Sequence, residues 1–381
     1  MDPLLQWARA KQSAIFEVIR EFVECESPSD SSAAIHRFMA LLGESVSDIA
    51  VSQLTPAGAL ICRFKLPGRA KKGRLLALGH ADTVWPMNTL KKMPFRRAQG
   101  RLLGPGVLDM KAGLAFFIFA MRAVIELDIP VPNEVVLLVN PDEETGSKTS
   151  RAGTEALARQ NHAILVLEPG TGLEGKAKTA RKGIGAFTLK VRGIASHAGV
   201  DFAKGSSAVV ELARQIEVVS GFTDIKRGIT VNPGVISGGT RSNVVAAEAS
   251  AEIDFRVPHL IDAKVLDRKF RALKPFDKRC TLELNGGLNR PPMERSKGVA
   301  ALFTEARKLA ADLGVKLEES STGGGSDGNF TAALGIPTLD GIGAVGEGAH
   351  ASHESILIDR IPDRVALLAK LACQSAISYT S

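Results

Sequence analysis

Three apolar runs in this sequence end in side chains that bind protons or metals. LLALGHADTV places His80 and Asp82 just past such a run, VVLLVNPDEETGS places Asp142, Glu143 and Glu144, and AILVLEPG places Glu168. A fourth segment, GPGVLDMKAG, sets Asp109 in a glycine-rich turn ahead of a helical pattern. Singly, each has an ordinary explanation, because a histidine after a strand is usually a hydrogen-bonded structural residue and acids in turns usually cap the chain. In open α/β sheets, however, ligands gather beyond the carboxyl ends of the strands. One histidine and several carboxylates converging at that edge carry an excess of negative charge that divalent cations would neutralise. Imidazole mixed with carboxylate suits zinc, with cobalt or manganese able to substitute, whereas an all-oxygen set favours magnesium or calcium. A ligating histidine commonly passes its other ring N–H to a carboxylate, which makes Asp82 the candidate orienter of His80. A second metal needs a second histidine, and GEGAHASHESILI offers His350 and His353. GGGSDGNF, at 323–330, invites a phosphate-loop reading but lacks the lysine of a P-loop and a preceding strand of the right sort.

The elements that must hold these residues fall into two textures. Apolar spacing over 12–25 predicts a helix, and a second follows SPSDSS, where the serines and Asp30 are good N-caps. Near-continuous apolar runs then alternate with helical ones through 166, the pattern of an α/β domain with a sheet covered on both faces. From about residue 183, GAFTLKVRG, GITVNPGVIS and VVAAEASAEIDFRV alternate, with helices expected at 205–219 and 261–273, as in an α+β sandwich with one exposed sheet face. Helical patterns near 296–313 and 360–376 resume the first texture. We therefore expect a smaller domain, 183–288, inserted into a larger one made of 1–182 and 289–381.

Length agrees, since 381 residues exceed the roughly 250–300 at which single cores stop growing. A composition of 45% hydrophobic and 23% charged residues is that of a globular protein. The net charge of +7 is spread along the chain without a basic run interleaved with aromatics, which argues against nucleic-acid binding. The most apolar segment, LAFFIFAMRAVIEL, is broken by Arg122, so no membrane span is expected. Cys25, Cys62, Cys280 and Cys373 are far apart and form no CxxC pair, and the N-terminal stretch has no signal-peptide core; both point to a cytoplasmic protein.

Taken in order, these segments resemble the dinuclear zinc amidohydrolase family of glutamate carboxypeptidase (the folate-cleaving carboxypeptidase G type), succinyl-diaminopimelate desuccinylase, acetylornithine deacetylase and aminoacylases. GHADTVWP is similar to the family's His-x-Asp-Thr-Val element, GPGVLDMKAG to its Gly-x-Gly-x-x-Asp-x-Lys-Gly element, and PDEETGS to its Asp-Glu-Glu-x-Gly-Ser element. LEPG, GIASHAG, SNVVAAEASAEIDFRVP, GGGSDGNF and GAHASHESI follow in the family's order, so the resemblance spans nearly the whole chain.

The resemblance implies a zinc-exopeptidase-like catalytic domain and a lid that dimerises. Asp109 would bridge two zinc ions, with His80 and Glu168 on one and Glu144 and His350 on the other. His350 is preferred to His353 because the family pattern runs His-x-x-x-Glu, which His350 and Glu354 fit. Glu143 would be the general base: a metal pair lowers the pKa of a shared water, and a carboxylate beside that water carries its proton to the leaving amine. Asp142 keeps a supporting role. His197 of GIASHAG would reach the partner subunit's active site and stabilise the oxyanion. Asn243, Arg290 and the glycines Gly324 and Gly325 match positions that hold the substrate's terminal carboxylate and backbone, and an arginine suits a carboxylate because it pairs bidentately. Arg181 and Lys182 are either further carboxylate ligands or simple surface charges. VWPMNTL and the Met-Lys after Asp109 differ in detail from any single branch.

The implied activity is hydrolysis of the amide bond in N-acyl amino acids or small peptides with a free C-terminal carboxylate. The alternatives are an aminoacylase-like deacylase with an apolar acyl pocket and a non-catalytic relative. The last would be expected to lack the base or some ligands, and here every such position is filled.

Overall fold

The computed structural model describes residues 2–68, 71 and 73–374. Packing divides the chain into two compact units: Met1–Ala180 with Arg295–Thr322 and Ser326–Ser381, and Arg181–Glu294 with Gly323–Gly325.

The first unit is built on a mixed sheet of five longer strands, Ala50–Leu54 (β1), Leu60–Phe64 (β2), Gly73–His80 (β3), Asn133–Asn140 (β4) and Ala163–Val166 (β5), in the order β1-β2-β4-β3-β5, with the short strand Thr338–Leu339 beyond β5. β3 runs parallel to both β4 and β5, while β1 and β2 are antiparallel additions at one side. The last six residues of β3 and of β4 are all buried, as unbroken apolar strands covered on both faces must be. Helices Gln12–Glu24 (α1), Ser32–Ser45 (α2) and Ala112–Glu126 (α3), with Lys297–Asp312 and Ile361–Ala372, supply the covering layers. α2 is capped by Ser31, whose hydroxyl accepts from the Ala34 N–H, rather than by Asp30. α3 is the apolar segment containing Arg122, whose guanidinium turns out to Asp48 at 2.7 Å. Among the described residues no helix is long and apolar enough to cross a membrane. The last helix ends at Ala372; the final two positions expected for it, 375 and 376, lie outside the described residues.

The second unit is a four-stranded antiparallel sheet, Gly183–Arg192 (β6), Thr230–Gly238 (β7), Glu248–Val257 (β8) and Thr281–Arg290 (β9), in the order β7-β8-β6-β9. β6 alternates in burial along its length, and its inner residues Phe187, Leu189 and Val191 pack with Phe255 and with Leu212, Leu266 and Phe270 of helices Ala208–Ser220 (α4) and Leu260–Arg271 (α5). One segment differs from the sequence reading: VVAAEASAEIDFRV is not a single strand. The carbonyls of Ala246 and Ala247 accept from Ala208 and Gly193 instead of from a sheet partner. The strand therefore breaks into Val244–Val245, which pairs with Ser196–His197, and β8.

Candidate metal centre

Register brings the chemistry together in the first unit. His80 lies level with Asn140 in the β3–β4 pair, and Leu78 lies level with Val166 in the β3–β5 pair. The chain leaving each of these strands carries His80, then Glu143 and Glu144, then Glu168, past the same sheet edge. Asp109 arrives on the turn before α3, which packs close because Gly113 has no side chain: a Cβ there would lie 2.2 Å from the Leu167 carbonyl, next to Glu168.

Two donor groups result, each with its ligand atoms within 4.8 Å of one another: His80, Asp109 and Glu168, and Asp109, Glu144 and His350. Asp109 belongs to both. His80 Nε2 lies 3.2 Å from Asp109 Oδ1 and 3.5 Å from Glu168 Oε1, and His350 Nε2 lies 3.2 Å from Glu144 Oε1 and 3.4 Å from Asp109 Oδ2. His80 Nδ1 is 2.9 Å from the Asp82 carbonyl, which can only accept, so Nδ1 carries the proton and the Nε2 lone pair of a neutral ring faces two carboxylates. Such an arrangement is repulsive unless a proton on Nε2 or a metal cation lies between the three groups. His353 is exposed and belongs to neither donor group.

The titration of the site carries the same signature. Burial pushes the His80 imidazole down, but the carboxylates of Asp109, Asp82 and Glu168 around it outweigh burial and hold it well above its usual value. Asp109 and Glu144 push His350 up to about 10. Burial lifts the Asp109 carboxyl, yet the two histidines pull it well below the carboxylate range, while burial raises Glu144 against the pull of His350. Both imidazoles are driven towards a positive charge that a divalent cation supplies through the same nitrogen. The donor set, one imidazole and carboxylates on each side of a shared aspartate, fits zinc or a similar borderline metal.

Comparison with known proteins agrees with this geometry. The family model described as Peptidase family M20/M25/M40 matches residues 76–374. The chain belongs to that family. Among curated M20 relatives and other similar proteins, carboxypeptidase G2 of Pseudomonas sp. (strain RS-16) is 27% identical over 97% of this chain and 91% of its own. Succinyl-diaminopimelate desuccinylase of Dechloromonas aromatica is 27% identical over 85% of this chain and 91% of its own. The crystal structure of aminopeptidase PepT from Bacillus cereus superposes with a TM-score of 0.78 at 22% identity, covering 95% of this chain and 99% of PepT, and so shares the mixed α/β fold. This M20 protein is a metal-dependent hydrolase of the metallopeptidase, carboxypeptidase or desuccinylase kind.

Asp82 meets His80 Nδ1 through two groups, its main-chain carbonyl at 2.9 Å and its carboxylate Oδ1 at 3.5 Å. The carboxylate also accepts the backbone N–H groups of Glu143 at 3.0 Å and Glu144 at 3.2 Å, and the Ser29 hydroxyl at 2.9 Å. Asp142 supports from behind as expected, accepting from Thr149 N–H, the Thr149 hydroxyl and the Ser150 hydroxyl. Glu143 lies outside both donor groups, although its charge still acts on His80.

Glu354 has a role that its place in the His-x-x-x-Glu pattern did not reveal. It is fully buried, and its carboxylate accepts from the N–H groups of Gly106 (2.9 Å), Leu108 (2.8 Å) and Asp109 (3.0 Å) and from the Trp85 indole (2.7 Å). It therefore holds the whole turn that presents Asp109. The available signal was an acidic residue directly before the buried strand Ser355–Leu357. Lys111, buried two residues past Asp109, ties the same turn to the end of α1 by donating to the Cys25 carbonyl at 2.7 Å, and burial pushes its ammonium down to about 8.

The remaining expected site residues lie in the second unit and form two groups. His197 is exposed and paired with Val244, and the neighbouring Ala198 N–H donates to the Asn243 carbonyl. Gly199 N–H donates to His197 Nδ1 at 3.1 Å, which leaves Nε2 as the proton-bearing nitrogen of the neutral ring. In the other group the buried Arg290 packs against Gly325, where a Cβ would lie 2.8 Å from its Cδ, and Arg181 Nη1 donates to the carbonyls of Gly324 (3.1 Å) and Gly325 (2.9 Å). Neither Arg181 nor Lys182 is a simple surface charge: Arg181 is buried, and Lys182 donates to the Gly228 carbonyl at 2.5 Å.

Proposed function

We propose that this M20 protein hydrolyses the amide bond of N-acyl amino acids or small peptides with a free C-terminal carboxylate, in the manner of a glutamate carboxypeptidase, with two zinc ions per chain. The observation that carries the reading is the pair of three-residue donor groups joined at Asp109. A bound metal pair supplies Lewis acidity and lowers the pKa of water. His80, Asp109 and Glu168 would hold one ion, and Asp109, Glu144 and His350 the other. Glu143 lies outside both donor groups with its main chain pinned by Asp82, and its carboxylate takes a proton from the attacking water and hands it to the leaving amine nitrogen. His197, with a proton on Nε2, donates to the developing oxyanion. Arg290 takes the terminal carboxylate, and Asn243, Gly324 and Gly325 hold the substrate backbone.

His197 serves the partner subunit of a homodimer in this reading. The second unit offers a surface for it: β7 is an edge strand whose Val235 and Ile236 are 55% and 61% exposed, and Val209 and Val210 of α4 are 43% and 52% exposed. Four free cysteines support a reducing compartment such as the cytoplasm.

A substrate panel on protein reconstituted with zinc tests the activity. Faster release of C-terminal glutamate from folates or dipeptides than of acyl groups from apolar N-acyl amino acids is the expected result. The opposite ranking turns the reading to the deacylase alternative, which the likeness to a desuccinylase favours. Chelation abolishes turnover and zinc, cobalt or manganese restores it. Two tightly held zinc ions with no hydrolysis of any panel member point to the non-catalytic relative. Light scattering tests the dimer.

A further inference from the structure

The GGGSDGNF segment contains a buried acid that the functions above do not use. Asp327 is 3% exposed and lies in the first unit, next in sequence to Ser326. Its carboxylate accepts from Asn140 Nδ2 at 2.6 Å and from the Ser147 hydroxyl. Those two residues bracket the turn that carries Glu143 and Glu144: Asn140 is the last residue of β4, and Ser147 closes the loop, with its N–H on the Asp142 carbonyl at 2.8 Å. Ser147 has φ 56°, in the left-handed region that a residue with a side chain avoids unless something holds it there. Asn140 is held in turn, since its Nδ2 also donates to the Thr154 hydroxyl at 2.8 Å.

We propose that Asp327 is a positioning residue for the hydrolytic reaction, clamping both ends of the 140–147 turn so that Glu143 reaches the water and Glu144 reaches its metal. This rests on the roles given above to Glu143 and Glu144. One carboxylate accepting at each end of an eight-residue segment fixes the separation of those ends. Asp82 holds the middle of the turn through the Glu143 and Glu144 N–H groups, and Asp327 adds the tie between its two ends.

The chemistry of Asn140 gives the proposal a discriminating substitution. Its Oδ1 is buried with no hydrogen-bond partner among the described residues. With Asp327→Asn, the new carbonyl still accepts from Ser147, and the amide of Asn140 can turn over so that Oδ1 accepts from the new amide. The repair is partial, because the turned Nδ2 takes a buried place without an acceptor and the Thr154 hydroxyl proton is already given to the Ser150 carbonyl. Asp327→Ala offers no such repair.

The test compares Asp327→Ala, Asp327→Asn and Glu143→Gln in the full chain, with kcat and KM corrected for folded fraction and with Zn2+ binding followed by titration of metal-free protein. For Asp327→Ala, kcat falls about 10–100-fold, the range seen when groups supporting ligands are removed, with KM near wild type. One Zn2+ site per chain weakens and the other keeps its affinity, because Glu144 sits on the clamped turn whereas His80 and Glu168 do not. Asp327→Asn recovers part of both losses. Wild-type kcat with two intact Zn2+ sites in Asp327→Ala overturns the proposal, as does an Asp327→Asn variant as damaged as the alanine one. If Asp327→Ala fails to fold, Ser147→Ala must show the same two losses in weaker form, and a wild-type result there overturns the proposal as well. An active Glu143→Gln would remove the base assignment alone, since the Zn2+ titration reads the clamp independently.

Discussion

The Asp82 carboxylate accepts the backbone N–H of Glu143 at 3.0 Å, so the side chain two residues past His80 fixes the turn of the proposed base. One short strand end thus meets the candidate metal ligand His80 and the proposed base Glu143 through the same residue.

That arrangement makes the division between the adjacent glutamates testable. Glu143→Gln keeps the backbone hydrogen bond to Asp82 and removes only the proton-accepting charge. It is expected to lower kcat by about 10²–10⁴-fold, the usual worth of a general base, with zinc content unchanged. Kinetics paired with metal analysis on the same preparation checks this, and loss of zinc along with activity would show that Glu143, not Glu144, is the ligand.

His350 and His353 separate by geometry. His350 Nε2 faces Glu144 and Asp109, whereas His353 is exposed outside both donor groups. His350→Ala is expected to lose about half the bound metal on dialysis, and His353→Ala to retain it. Equal retention by the two variants, measured by metal analysis, would refute the assignment.

Glu354 makes a stability prediction. Removing its carboxylate leaves three backbone N–H groups and the Trp85 indole without their acceptor. Burying unsatisfied donors costs about 1–3 kcal/mol each before relaxation, so Glu354→Ala is expected to destabilise metal-free protein by about 2–4 kcal/mol. Denaturant unfolding in chelator isolates this from metal binding. Glu354→Gln keeps one oxygen and falls between the two.

The thiols set an alkaline limit. Burial pushes Cys25, Cys62 and Cys373 up from the usual 9.0, Cys373 to about 11. A folded-state value above the unfolded one means that the folded chain holds the proton more tightly. The stability from Cys373 is therefore fully present below pH 9.0 and is lost as pH rises through about 11. Unfolding free energies of wild type and Cys373→Ala should run parallel below pH 9.0 and converge or cross above it; a constant difference to pH 11 counts against a buried protonated thiol.

Residue type and local pattern determined much on their own. The unbroken apolar runs of β3 and β4 announce strands covered on both faces, the alternation in β6 announces a sheet with one open face, and residues able to bind metal stand where those runs stop. These are legible because burial acts on neighbours along the chain, with a period of two in a strand and 3.6 in a helix. Which groups each acid meets was decided only by the tertiary structure. Asp82 serves Glu143 across 61 positions, Asp327 serves Asn140 across 187, and Glu354 serves Asp109 across 245. Gly323–Gly325 packs with the second unit although the chain on both sides belongs to the first. A hydrogen bond needs its two atoms near 3 Å apart whatever their separation in sequence. No local pattern encodes that distance, and only the folded path of the chain sets it.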